Sequence, residues 1–284
     1  MRLVTMAVAT SFAFLIFSAG AEEPPAKTGN EEVEKERAAE ALKLCLRAAK
    51  EYRLLLSGPE PIELELKTHP LLRWSNPSYG SIHGVVYVWT HEGRPAAIAS
   101  IYKIFDPPIY MHFEVHSLSE VPLLGMFDDR PIWNSSRPGV DLKPLTEAPT
   151  PAANPAGRLT QMRTVSKDFT VEKTDRDNGS QQQMRLLTQP IFRYQSQSAK
   201  IIDGAIFAFV QGTDPEVLLM LEVREGATGP EWQYALARMN SVVFRVRYKD
   251  REVWKTDVLP WSEVFDGKSP YNLLKLDHLA PSAK

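Results

Sequence analysis

The chain has 284 residues, with 33 Lys and Arg against 35 Asp and Glu for a formal net charge of −2, and 43% of its side chains are apolar. That apolar content can supply the core of one large or two modest domains. The balanced charge, with no run of Lys or Arg, argues against a nucleic-acid partner. A lone cysteine, Cys45, excludes an internal disulfide.

Arg2, an apolar run from Leu3 to Phe17 and the small residues Ala19-Gly20-Ala21 have the layout of a cleavable secretory signal peptide over residues 1–21. The cut is expected between Ala21 and Glu22. The run is short of the roughly 20 residues that span a bilayer, and no later run approaches that length. The expectation is an exported chain, periplasmic or secreted, with no stable membrane anchor after cleavage. Residues 22–30, with Pro24 and Pro25, read as a tether.

Asn30 can cap a helix whose first turn is acidic, with Glu31, Glu32 and Glu34. Ala38, Leu42, Cys45, Ala49, Tyr52 and Leu56 recur at helical spacing, so the predicted helix runs to the break at Ser57-Gly58-Pro59. The period then changes to two. Ile62–Lys67 is a predicted short strand, Ser81–Thr90 and Pro95–Phe105 a hairpin, and Ile109–Ser117 a third strand after the turn Asp106-Pro107-Pro108. Residues 118–157, punctuated by Pro138, Pro144, Pro149, Pro151 and Pro155, read as a surface loop or linker. Asn154-Pro155 is a cap and first-turn pair for a helix carrying Leu159, Met162, Val165 and Phe169.

After a polar loop at Asp175–Gln183, the apolar runs Ile206–Val210 and Val217–Val223 have the composition of covered central strands. Trp232–Met239 and Val242–Tyr248 follow. Lys249-Asp250 is a two-residue turn that sets Arg247 opposite Glu252 and Arg245 opposite Trp254. No internal repeat stands out. The expected fold class is α+β, mainly antiparallel β-sheet with a long N-terminal helix and one mid-chain helix. Residues 31–117 and 158–284 are its two sheet regions, either separate or one continuous domain 31–284.

The most suggestive spacing is His112-x-Glu114-x-His116, three side chains on one face of a strand. Two imidazoles and a carboxylate can hold a divalent metal such as zinc, whose bound water would attack a carbonyl or phosphoryl group. A four-residue turn at Asp106–Ile109 would instead set Lys103 opposite His112 and beside Glu114, an ordinary cross-strand ion pair on a wet face. Trp74 and Trp133 are candidate ligand contacts, Trp133 because the proline-rich segment offers it little to pack on. Asp128-Asp129 reads as a solvated loop pair. The Asp175–Gly179 segment lacks the spacing and closing acid of a calcium loop. No nucleophile elbow, P-loop, dinucleotide fingerprint or zincin motif is present.

The phrases Leu72-Arg73-Trp74-Ser75-Asn76-Pro77, Gly93-Arg94-Pro95, His116-Ser117-Leu118-Ser119, Gln189-Pro190-Ile191-Phe192-Arg193-Tyr194 and Asp203 through Gly212-Thr213-Asp214-Pro215-Glu216 occur together. In these, residues 40–256 resemble a family of uncharacterised exported proteins of planctomycete bacteria. The resemblance implies a bacterial exported protein and carries no activity or catalytic residue with it. The reading is therefore an exported, non-catalytic binding or structural module with no predicted cofactor and an extracellular or cell-envelope ligand. The alternative is a metal-assisted hydrolase at His112, Glu114 and His116.

Overall fold

The computed structural model describes residues 28–279. The signal peptide, its cut between Ala21 and Glu22, and the tether up to residue 27 lie outside the described residues. Among them, no helix is long and apolar enough to cross a membrane.

Helix α1 (Thr28–Glu51) takes in the end of the expected tether. It buries Ala41, Cys45, Ala48 and Ala49, a stripe small enough to lie close on a sheet. The Cys45 thiol donates to the Ile101 carbonyl at 3.1 Å, and burial pushes its pKa up. The helix stops before the predicted glycine break, and β1 (Tyr52–Leu56) takes its last predicted turn. Here tertiary packing overrides helical spacing, because Tyr52 stacks on Phe113 with ring centroids 4.7 Å apart.

Next come β2 (Ile62–Glu63), β3 (Glu65–Ser75), β4 (Ile82–His91), β5 (Arg94–Ile104), β6 (Tyr110–Ser117), β7 (Leu123–Phe127), β8 (Arg130–Ser135) and the two-residue β9 (Lys143–Pro144). The segment expected to be a loop or linker thus holds the β7–β8 hairpin. Pro138, Pro144, Pro149, Pro151 and Pro155 all follow β8, so they break up only the part of the segment after the hairpin. Asp128 and Asp129 form the hairpin turn, both at positive φ (46° and 55°), as a type I′ turn requires.

The second half opens with α2 (Pro155–Ser166), capped as expected: the Asn154 side chain accepts from the Gly157 amide at 2.7 Å. Phe169 already belongs to β10 (Phe169–Thr174), which is followed by β11 (Gln181–Gln183), β12 (Arg185–Leu186), β13 (Phe192–Ser196), β14 (Ile201–Gln211), β15 (Asp214–Gly226), β16 (Gly229–Arg238), β17 (Val243–Tyr248) and β18 (Arg251–Lys255). A short α3 (Trp261–Val264) leads to β19 (Tyr271–Lys275). Arg247 faces Glu252 as predicted, but a bulge moves Arg245 opposite Lys255. All described strand pairs are antiparallel, and the fold is α+β.

Contrary to the sequence reading, the chain repeats itself. Each half runs helix, strand, short strand, then the strands of an inner sheet and a closing hairpin. Each closing hairpin pairs with the strand after the helix, giving outer sheets β2-β1-β7-β8 and β11-β10-β17-β18. The inner sheets are β6-β5-β4-β3 and β16-β15-β14 with β12 and β13. Their central hairpins share a register: Gly84 faces Tyr102 in one and Gly204 faces Glu222 in the other. The repeat also exchanges its tails. β9, which follows the first half, pairs with β16 of the second, and β19, which follows the second half, pairs with β6 of the first.

Three cores follow from this layering. Tyr87 and Trp89 of one inner sheet meet α1 and the first outer sheet. Phe207 and Phe209 meet the α2 side in the same way. Trp74, Val86 and Ile98 meet Ile206, Leu218 and Met220 where the two inner sheets lie face to face. That last interface positions the site.

Candidate functional site

In both halves an aromatic ring lies flat over a glycine. A Cβ on Gly84 would fall 2.1 Å from the Trp74 ring, and one on Gly204 would fall 2.5 Å from Tyr194. Only glycine lets the rings approach so closely. Opposite the glycines stand Tyr102 and Glu222, and the hairpin starts approaching from the other half are Asp214 and Arg94.

These two equivalent places have taken opposite courses. At Gly204 the buried Glu222 accepts from the Tyr194 hydroxyl at 2.7 Å and from Arg94 Nε at 3.3 Å, and Arg224 and Glu120 complete an ionic cluster. That cluster fills the place. At Gly84 no such pair forms, and a pocket of about 300 Å³ opens between the halves. Trp74, Tyr79, Tyr102, Tyr110, Trp261 and Tyr271 line it, with Glu114 and Asp214. Tyr79 and Trp261 are 55% and 56% exposed and stand at its mouth, while Glu114 is only 7% exposed.

Each wall has a local cause. Glu114 lies on β6 opposite Ser100, which takes the Trp74 indole N–H at 2.8 Å. Tyr271 arrives on the exchanged strand β19 and donates its hydroxyl to Glu114 Oε1 at 2.5 Å. Burial pushes the Glu114 carboxyl up to about 8, against the opposing pull of that hydrogen bond, so it is mainly protonated at neutral pH. Asp214 is also held well above the carboxylate range by burial, reinforced by repulsion from Glu216 and Glu114. Glu216, raised by burial, is bound by Lys173 and by the Asn240 side chain.

The predicted metal ligands do share one strand face, but they do not converge. Glu114 opens into the pocket. His116 lines a different hollow beside Glu120, with its Nδ1 2.7 Å from the Ser117 carbonyl oxygen. His112 sits among Tyr102, Tyr110 and Phe265. Same-face neighbours on a strand are about 6–7 Å apart, so side chains that do not turn toward one another cannot share an ion with bonds of about 2 Å. Among the described residues, no group of three His, Cys, Asp or Glu could hold a metal. Burial lowers both imidazoles to about 4 and keeps them neutral.

The expected ion pair with Lys103 is also absent. Tyr102, not Lys103, faces His112. Phe105 stays outside the β5–β6 pairing and donates its N–H to Ser81 instead, which lengthens the turn by one residue and rotates Lys103 to the other face. There its ammonium bonds Glu40 of α1 at 2.5 Å.

Trp74 does line the pocket. Trp133 does not: it lies on β8, 1% exposed in the first core, and donates its indole N–H to the Ser269 carbonyl at 2.8 Å. Sequence reasoning missed Tyr102, Tyr110, Asp214, Trp261 and Tyr271. A signal was present in Ile82-x-Gly84 through Pro95 and Ile202-x-Gly204 through Pro215, which align at one constant offset and place Asp214 where Arg94 stands.

Two larger hollows, of about 560 Å³ beside α1 and 570 Å³ beside Glu120, bring no comparable set of buried polar groups together. Their charged members Lys35, Arg73, Glu120 and Asp141 are exposed. No family model, no curated protein and no solved structure matches the chain.

Proposed function

We propose that this chain is an exported, non-catalytic binding protein whose small ligand occupies the pocket between its two halves. The observation that carries the reading is an aromatic-lined pocket with a buried carboxyl on its wall, at a place the other half fills with ions. Concave sites with apolar walls and a few convergent polar groups are where small ligands bind. Exposed aromatic rings at the mouth offer contact area at little entropic cost. Export rests on the N-terminal segment, and a reporter fused to residues 1–30 should leave the bacterial cytoplasm if that part is right.

Tryptophan fluorescence titrations with a panel of soluble sugars, amines and short carboxylic acids test the site. A panel member that binds should lose about tenfold or more in affinity in Trp261→Ala and in Tyr79→Ala, with the folded spectrum unchanged. Undiminished binding in both variants would place the ligand elsewhere and defeat the reading.

A further inference from the structure

We infer that the ligand of this pocket carries an organic ammonium group, held between the aromatic walls and the carboxyls of Glu114 and Asp214. The inference rests on the pocket being the binding site and names what it binds.

The lining contains two acids and no base. Glu114 is more than nine-tenths buried, yet among the described residues only one of its oxygens receives a hydrogen bond, from Tyr271. Its other oxygen is not among the sealed, unpartnered atoms of the interior, so it opens into the pocket. The cations nearest in the structure are already committed. Lys173 bonds Glu216 and Gln211; Arg238 donates to the backbone carbonyls of Asn240, Val242 and Asp257 and lies over the Tyr271 ring at 5.8 Å; and Arg176 lies over the Trp261 ring at 4.2 Å while donating to Ser241 and the Leu259 carbonyl.

At the equivalent place in the other half the protein supplies its own cation, Arg94, to a buried carboxylate, Glu222, that also accepts from the Tyr194 hydroxyl. The pocket keeps the ring over the glycine, but Tyr102 takes the place of Glu222 and a carboxyl, Asp214, takes the place of the arginine. A ligand ammonium would supply the positive charge that Asp214, in the arginine's place, does not, and would displace the proton of a buried carboxyl as it binds. Aromatic faces attract such a cation through their quadrupoles, and desolvation in a pocket strengthens the attraction. A neutral ligand of the same shape would gain the apolar contact only.

Choline and n-butylammonium, titrated by calorimetry beside the uncharged isosteres 3,3-dimethylbutan-1-ol and n-butanol, test this on the chain from Glu22. At least one ammonium should bind tenfold or more tighter than its isostere. Glu114→Gln and Asp214→Asn should each erode that preference about tenfold, read as the ratio of ammonium to isostere affinity within the same variant, with the folded spectrum unchanged. Ammonium binding no stronger than isostere binding, or unchanged in both carboxyl variants, overturns the inference, as does failure of both ammonium probes. If neutral sugars or alcohols bind and Trp261→Ala removes them, the pocket remains a binding site and only the ammonium assignment falls. If an ammonium binds equally to Trp261→Ala and Tyr79→Ala, both readings fall.

Discussion

Between pH 6.5 and pH 8 the fold should lose stability, and Glu114→Gln should remove much of that loss. An exposed glutamate titrates near 4.5, but burial pushes Glu114 up to about 8 in the folded chain, with the Tyr271 hydroxyl pulling the other way. The folded state therefore holds more protons than the unfolded state across that interval, and stability falls as pH rises through it. At about 1.4 kcal/mol per pH unit the full penalty above pH 8 is on the order of 5 kcal/mol, of which about a third accrues between pH 6.5 and pH 8. His112 and His116 act with the opposite sign. Burial lowers each from 6.5 to about 4, so their stabilising effect is complete above 6.5 and is lost as pH falls through the folded value. They leave the upper window to the carboxyls, where Asp214 and Glu216 share the sign of Glu114. Urea unfolding at pH 6.5 and at pH 8, with wild type and Glu114→Gln in parallel, measures the difference. The decline should be smaller in the variant by about 1–2 kcal/mol. Equal declines would mean that Glu114 titrates as an exposed acid and would refute the account of the pocket wall.

The two glycines beneath the rings should behave alike. Gly84→Ala and Gly204→Ala each drive a methyl into an indole or phenol ring, at 2.1 and 2.5 Å, and should cost about 1–3 kcal/mol in chemical denaturation; a neutral effect at both would deny the close approach that defines the repeat. Arg94→Met leaves Glu222 buried with its charge poorly compensated and should cost about 3 kcal/mol, while Arg94→Met with Glu222→Met should recover most of that in a double-mutant cycle. Additive losses in that cycle would show that the two do not act as a pair.

Much of the secondary structure was legible because it is written in local chemistry. Asn154-Pro155 starts α2, Lys249-Asp250 turns β17 into β18, and the alternation of Val242, Phe244, Val246 and Tyr248 sets one buried face. What misled was non-local. Tyr52 and Leu56 keep helical spacing with Cys45 and Ala49, yet Tyr52 is claimed by Phe113 and Phe127 from distant strands. Trp133 looked stranded among prolines because its partners, including Ser269, are far along the chain. The His112 face was read correctly as a face, but its neighbours were displaced by a one-residue change in turn length, which moves every side chain of a strand relative to its partner. The candidate pocket was hardest to read because its walls come from both halves and become neighbours only after docking.

That composite origin bears on why the pocket survives at all. A half-repeat alone would leave one face of its inner sheet bare, so the two sheets bury those faces against each other. The exchanged strands β9 and β19 then tie each half to the other by backbone hydrogen bonds. With docking secured by the apolar interface, the ties and the Arg94–Glu222 cluster, the second equivalent place is not needed to hold the halves together. It can carry Asp214 where an arginine would have closed it, and Glu114 with only Tyr271 to hold it. A carboxyl buried with so little compensation lowers stability, and the interface around it is extensive enough to bear that loss. The opposite treatment of two matching places is therefore the strongest reason to look for function at the one left open.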